Sequence, residues 1–410
     1  MIEFPEDFFW GAATSAYQVE GNNTNSDWWE WEKRIGLKEP SGEACRSYEL
    51  YKQDFDLAKF LNHNAHRLSI EWSRIEPDEG KFSSKEIGHY RDVILFLRER
   101  NLEPIVTLHH FSNPRWFAEL GGWLNRDADK YFSRFTETIV QALCDQVRFW
   151  VTINEPMVYA HHSYILGQWP PQERSFRKAK KVTANFIDSH IKAYRLIHSI
   201  YEQKKLSAPL VTVAKNMQTF EPCNLTPRDK FAAYLRNKLY NFEFIKKLIK
   251  YKSLDFIGVN YYTRSLVETK GWSVKNLLLD VCEGNHSQLK KNTLGWDIYP
   301  QGLYNLLLKL KKYKLPVFIL ENGICTDDDK LRWDFIYEHL KSINSAMSEG
   351  VEVLGYIYWS LIDNYEWDKG FSPRFGLIEV DYKTYQRNIR ESAKKFSEVC
   401  KTGKLNEAAK

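Results

Sequence analysis

Several familiar signatures are missing from this 410-residue chain. Its six cysteines, Cys45, Cys144, Cys223, Cys282, Cys325 and Cys400, are scattered and form no C-x-x-C pair. That excludes a zinc ribbon or a thioredoxin-like redox motif. No uninterrupted apolar run approaches the roughly 20 residues that cross a bilayer. The opening Met1-Ile2-Glu3-Phe4-Pro5-Glu6-Asp7 is acidic and lacks the basic stretch and apolar core of a secretion signal. A reduced, cytoplasmic protein with no membrane partner is the expectation, and the sequons at Asn22, Asn224 and Asn285 then carry no meaning. Charge is nearly balanced, 58 Lys and Arg against 53 Asp and Glu. The basic clusters 177–181, 246–252 and 309–314 are short and interleaved with apolar residues at helical spacing. They read as solvated helix faces, and no nucleic-acid partner is expected. A linker and a low-complexity tract are also absent, so residues 1–410 read as one domain.

What the chain has in excess is aromatic surface. Trp 14, Tyr 23 and Phe 24 make up 15% of the residues. Most should pack a large core, with a minority available as a flat platform for a ligand.

Eight short apolar runs recur, at 8–13, 66–72, 104–110, 149–155, 210–216, 255–262, 316–321 and 353–359. Each has strand length and is rich in Val, Ile, Phe or Tyr, as buried parallel strands are. Segments of helical period lie between them, at 48–61, 86–99, 129–142, 183–203, 303–313 and 331–348. The tail 401–410 reads as frayed. Strand and helix alternate without a glycine-rich dinucleotide turn, which favours an α/β fold of the (β/α)8 TIM-barrel type over a doubly wound sheet.

In such barrels the chemistry gathers at the C-terminal strand ends. Those ends carry Arg67, His109-His110, Asn154-Glu155, Asn260-Tyr261-Tyr262, Glu321-Asn322 and Trp359. Two are carboxylates on different strands that would close on one mouth. Gly323 would let the chain turn away after Glu321. Paired carboxylates on a common rim suit glycoside hydrolysis, in which one acid protonates the leaving oxygen and the other attacks the anomeric carbon. Asn154 and Glu155 are adjacent, so bringing both to one sugar needs a twist or bulge at the strand end. The histidine pairs 109–110 and 161–162 do not form a metal site by spacing alone, since neighbours on a strand point apart. Neither metal nor cofactor is expected. Asp327-Asp328-Asp329 reads as a solvated turn.

Thr152-Ile153-Asn154-Glu155-Pro156 and Ile319-Leu320-Glu321-Asn322-Gly323 resemble the two signature motifs of glycoside hydrolase family 1, the β-glucosidase family. Residues 8–21, 66–74 and 358–367 resemble, in order, its opening, its second strand and its last strand and loop. The resemblance implies a retaining exo-β-glycosidase, with Glu155 as acid/base and Glu321 as nucleophile. Retention needs the two carboxyl groups roughly 5 Å apart. Arg67 and Tyr262 would keep Glu321 low and ionised, while Glu155 is raised and protonated. Asn154 would bond the sugar 2-hydroxyl. Gln18, His110, Glu366 and Trp367 would bind other hydroxyls, Trp359 would form the floor, and Asn260 would support the nucleophile side.

Relatives that take 6-phosphorylated sugars place Ser, Lys and Tyr in the last loop, where this chain has Glu366, Pro373 and Phe375. An unphosphorylated glycone is therefore implied, with β-glucoside first and β-galactoside or β-fucoside as side substrates. Glu155 also argues against the plant members that carry Gln there and use an external base. Met157 replaces a Trp common on the leaving-group side, the rim loops look trimmed, and Trp296 reads equally as rim or core. The partner is a small β-glycoside or oligosaccharide, with homo-oligomerisation open. Rival readings are a transglycosylase using the same intermediate and a sugar-binding barrel without activity.

Overall fold

The computed structural model describes residues 2–280, 282 and 287–406. Its centre is a closed parallel barrel of β1 (Phe9–Ala13), β2 (Ala65–Ser69), β3 (Glu103–His109), β4 (Phe149–Asn154), β5 (Leu210–Pro222), β6 (Ile257–Val267), β7 (Val317–Asn322) and β8 (Val353–Trp359). Neighbours in sequence are neighbours in the barrel, and β8 returns to pair with β1. The strands are followed in turn by α1 (Ser47–Phe60), α2 (Ser84–Glu99), α3 (Ala128–Leu143), α4 (Phe176–Gln203), α5 (Glu243–Lys250), α6 (Pro300–Leu310), α7 (Asp329–Ser348) and α8 (Glu391–Thr402). This is the (β/α)8 architecture.

Every predicted apolar run falls on a barrel strand. Two strands overshoot the prediction: β5 and β6 stay paired as far as Pro222 and Val267. Their extensions mix polar and apolar residues, Gln218-Thr219-Phe220-Glu221 against Arg264-Ser265-Leu266, so no apolar run marked them. Helix ends are legible where a cap is present. Ser83 accepts from the Glu86 N–H and starts α2, a contact worth about 1 kcal/mol. α3 buries Phe132, Phe135, Ile139, Val140 and Leu143 at helical spacing and turns its charges outward.

Inside the barrel, Ala13, Ala65 and Ala214 face Ile105, Val151, Leu320 and Ile357, all fully buried. Small and large side chains on neighbouring strands pack together in the lumen. At the N-terminal end Phe9, Phe149, Phe256 and Phe318 form a plug of rings, with contacts at centroid distances such as 5.2 and 6.0 Å. A larger apolar layer joins barrel to helices, and most of the aromatic excess resides there.

Three expectations are corrected. The tail is not frayed up to residue 406: Lys404–Leu405 pairs antiparallel with Ile2–Glu3, and Leu405 is fully buried. One apolar residue in a polar tail supplies the anchor. Residues 407–410 lie outside the described residues, as does Asn285. Second, the cysteines are not all reduced, because Cys223 and Cys282 form a disulfide with Cα atoms 6.0 Å apart. The strand extension brings them together, since the Cys223 and Cys282 N–H groups donate to Val267 and Leu266 on the same strand. Third, the acidic triplet is more than a solvated turn. Asp328 caps α7, while Asp329 ties Arg332 on that helix to Ser392 on α8. Among the described residues no helix is long and apolar enough to cross a membrane.

Candidate active site

A cavity of about 1080 Å³ opens at the C-terminal ends of the strands. Its wall includes Gln18, His110, Asn154, Glu155, Tyr262, Glu321, Trp359, Glu366 and Trp367. Arg67 and Asn260 lie buried behind them. The residues singled out along more than 340 positions of sequence therefore meet at one mouth.

The Asn154–Glu155 problem is solved by the backbone. The pairing of β4 with β5 shifts register between Val151 and Asn154. Glu155 then takes a left-handed conformation, φ 43° and ψ 56°, and Pro156 opens the helix Pro156–His161. The turn sends two successive side chains into the cavity. A non-glycine residue held there costs on the order of 1–3 kcal/mol, and the Glu155 N–H, donating to the Ala214 carbonyl at 2.8 Å, helps to hold it.

The two acids have different partners. Arg67 reaches from β2 to bond Glu321 Oε1, with its other arm on Asn154 Oδ1 at 2.7 Å. Tyr262 donates to Glu321 Oε2 at 2.6 Å. Glu155 Oε1 instead accepts from two neutral amides, Asn260 at 2.9 Å and Asn216 at 3.1 Å. Asn260 also donates to Asn154 Oδ1 at 3.1 Å, so beyond the nucleophile side it was expected to support, where it favours the Glu321 anion, it braces the two neighbouring residues at the end of β4.

Burial and the nearby Glu321 charge lift Glu155 to about 7, against the pull of the two amides. The expectation of a low Glu321 is corrected: burial raises it too, and Arg67 and Tyr262 act in the opposite direction. The asymmetry lies in those partners, a cation and a phenol on Glu321 against a negative neighbour on Glu155. Glu366, partly shielded and facing the same negative group, is lifted to about 8.

Gln18 is fully buried and donates to Asn364 at 3.0 Å, the Tyr365 carbonyl at 2.8 Å and Glu366 at 3.3 Å. His110 meets the Asn154 amide at 3.1 Å and lies nearly parallel to Trp359 and Trp367. Its neighbour His109 points away, to Asn113 and Trp123, as strand alternation requires. His162 stacks on Trp169 at 4.4 Å. Among the described residues the one group of three possible metal ligands is Cys223, Glu268 and Cys282, whose sulfurs are joined to each other.

Gly323 has a different role from the expected turn. A Cβ there would lie 1.8 Å from the Trp359 carbonyl oxygen, so its absence lets β8 approach β7 closely. Met157 and Trp296 both line the cavity; Trp296 stands at the mouth, 36% exposed, beside Tyr262 and Phe375. Sequence reasoning missed Asn216, Lys215, Tyr240 and Asp368. The first two close the apolar run of β5 with polar residues, the same signal that marked the other strand ends. Tyr240 sits on a helical turn remote in sequence, and nothing local marks it.

The family model described as "Glycosyl hydrolase family 1" matches residues 1–251 and 243–405. A β-glycosidase from Pyrococcus horikoshii superposes with a TM-score of 0.93 at 40% identity, covering 99% of this chain and 97% of that one. "Beta-glucosidase A" of Thermotoga maritima is 29% identical over 99% of both chains. A 6-phospho-beta-galactosidase of Clostridium acetobutylicum is 31% identical over 99% of this chain and 98% of its own length. The chain belongs to glycosyl hydrolase family 1. It is an O-glycosyl hydrolase of the β-glycosidase type.

Proposed function

We propose that the whole chain acts as one barrel domain, a retaining exo-β-glycosidase removing terminal unphosphorylated β-glycosyl residues, β-glucosides first. The observation that carries this reading is the pair Glu155, just past the end of β4, and Glu321, on β7, facing one cavity with different electrostatic partners. In the first step Glu155 gives its proton to the glycosidic oxygen while a Glu321 oxygen bonds to C1 and the C1–O bond to the leaving group breaks. In the second, ionised Glu155 takes a proton from water, the water oxygen bonds to C1, and Glu321 leaves as carboxylate. Configuration is retained because C1 is inverted twice. Asn154, braced by Arg67, His110 and Asn260, is placed to bond the sugar 2-hydroxyl. Gln18, Glu366, Trp359 and Trp367 supply the remaining hydroxyl contacts and floor.

The unphosphorylated preference rests on Glu366. Burial and the Glu321 and Asp368 charges hold it as a neutral carboxyl below about pH 8, suited to a hydroxyl, and the negative potential those two charges make at this wall disfavours a phosphate. A panel of nitrophenyl α- and β-glycosides of glucose, galactose, fucose, mannose and xylose, with the 6-phospho-glucoside, tests the proposal. The β-glucoside should be turned over fastest, with product of the β configuration appearing first by proton NMR. Preference for an α-glycoside or for the phosphorylated sugar, or first product of inverted configuration, overturns it. Transfer to an added alcohol in place of water at ordinary substrate concentration would favour a transglycosylase.

A further inference from the structure

Lys215 is the penultimate predicted residue of β5 and is fully buried. The neighbouring Asn216 turns to the cavity and bonds Glu155. Lys215 turns the other way, into the space between the strand and the helical turn Asn237–Phe242. There its ammonium donates to the Asn216 carbonyl and sits 4.1 Å from the centre of the Tyr240 ring. The Tyr240 hydroxyl donates to Asn216 Oδ1 at 2.9 Å. Lys215, Tyr240, Asn216 and Glu155 thus form a continuous chain of contacts. Among the described residues Lys215 forms no salt bridge, and the acid whose charge acts on it is Glu155.

A buried ammonium without a paired carboxylate is costly unless something compensates it. A ring face and one carbonyl compensate part. An ionised Glu155 compensates more, and a protonated Glu155 does not. The groups acting on Glu155 are Glu321 from β7, Glu366 from the loop after β8, Tyr262 from β6, Tyr240 from the helical turn and Lys215 from β5. Lys215 is the cation among them.

We propose that Lys215 is a positioning residue for the acid/base: its ammonium, seated on Tyr240 and the Asn216 carbonyl, favours the ionised form of Glu155 and orients the Asn216 amide onto it. The consequence follows from the reaction itself, and it rests on the reading of Glu155 as acid/base. Before attack, the negative Glu321 opposes Lys215 and keeps the proton on Glu155. Once Glu321 is bonded to C1 its charge is gone, while Lys215, brought down to about 7 by burial and supported by the Glu155 charge, still carries its own below that pH. Glu155, having given up its proton, is then held as the base that deprotonates water.

The test is Lys215→Met, which keeps length and removes charge, beside Lys215→Arg, which keeps charge. In K215M the alkaline limb of kcat/KM should move up by about one pH unit. Below that limb, turnover of a dinitrophenyl glucoside, limited by the second step, should fall about tenfold because less Glu155 is ionised. K215R should leave both near wild type. Carbon-13 NMR titration of labelled glutamate carboxyls, with the Glu155 signal assigned through E155Q, reads the same shift without substrate. If K215M fails to fold, Tyr240→Leu at the half-buried wall removes the seat of the ammonium and should shift Glu155 in the same direction. An unchanged Glu155 titration in the folded variant, or equal shifts in K215M and K215R, overturns the proposal. Absence of any β-glycoside turnover would instead overturn the functional reading and leave the NMR comparison standing.

Discussion

Tyr262 gives its phenol hydrogen to Glu321 Oε2 over 2.6 Å, while Arg67 holds the other oxygen of the same carboxylate. Glu155, in the same cavity, has only neutral amides as hydrogen-bond partners. Burial alone would protonate both acids. The difference between them is made by what β2 and β6 bring to β7, so the electrostatic asymmetry is a property of barrel closure rather than of either glutamate.

Tyr262→Phe should therefore weaken the Glu321 anion without changing its position. A hydrogen bond to a charged group is worth about 1.5–3 kcal/mol, so kcat/KM should fall roughly 10- to 100-fold. Without the phenol, Glu321 holds its proton to higher pH, and the acid limb of the kcat/KM profile should move upward. A Phe variant with an unmoved acid limb would show that Arg67 alone sets the Glu321 charge.

Glu155→Ala should separate substrates by leaving group. Aryl glucosides with poor leaving groups should slow by about 10²–10⁴, the usual span for a lost general acid. Dinitrophenyl glucoside needs little protonation and should keep most of its rate for the first step. Steady-state kinetics across a series of substituted phenyl glucosides checks this. Equal losses across the series would mean that Glu155 is not the acid.

The barrel was readable because parallel strands buried on both faces leave continuous apolar runs, and all eight did so. Glu155 and Glu321 were readable because each closes such a run with a charge. Three things were not. The polar–apolar extension of β5 and β6 leaves no run, and with it went the Cys223–Cys282 pairing, between residues 59 apart in sequence. Tyr240 reaches the site from a helical turn whose own residues carry no mark of it. The role of Gly323 depends on the backbone of Trp359, a neighbour across the sheet rather than along the chain. Each of these was decided by tertiary contact.

The carboxyl contribution to stability should fall from about pH 6.5 to 8, offset in part above pH 7 by Lys215, which burial holds down to about 7 and whose contribution grows as pH rises. Glu20 and Glu155 are lifted to about 7 and Glu366 to about 8, chiefly by burial. Folded values above the unfolded ones, near 4.3, mean their contribution is complete in acid and lost as pH rises through 7 and 8. His63, His66, His109 and His339 are depressed to about 3 by burial. Their contribution is present above about 6.5 and lost below it, so they are silent on the alkaline side. Each carboxyl lost contributes up to about 1.4 kcal/mol per pH unit. Urea midpoints measured from pH 6.5 to 8 should fall in wild type relative to Glu366→Gln. Parallel declines would mean that Glu366 is already ionised in the folded protein.

Gly323→Ala and Gly88→Ala should have opposite effects. At Gly323 the added methyl would meet the Trp359 carbonyl oxygen at 1.8 Å and its carbon at 2.9 Å, both backbone atoms that cannot swing aside. Either β8 moves away from β7 or Glu321 shifts with its strand. Overpacking of this kind costs about 1–3 kcal/mol, and because Trp359 walls the cavity, kcat/KM for a β-glucoside should drop with stability. Gly88 lies in the exposed middle of α2, where a Cβ meets nothing within 4 Å. Alanine there loses less backbone entropy on folding and should stabilise by about 0.5–1 kcal/mol, with activity unchanged. Urea denaturation and initial rates on the two variants decide the matter. A Gly323→Ala protein as stable and active as wild type would mean that the close approach of β8 to β7 is not required at this position.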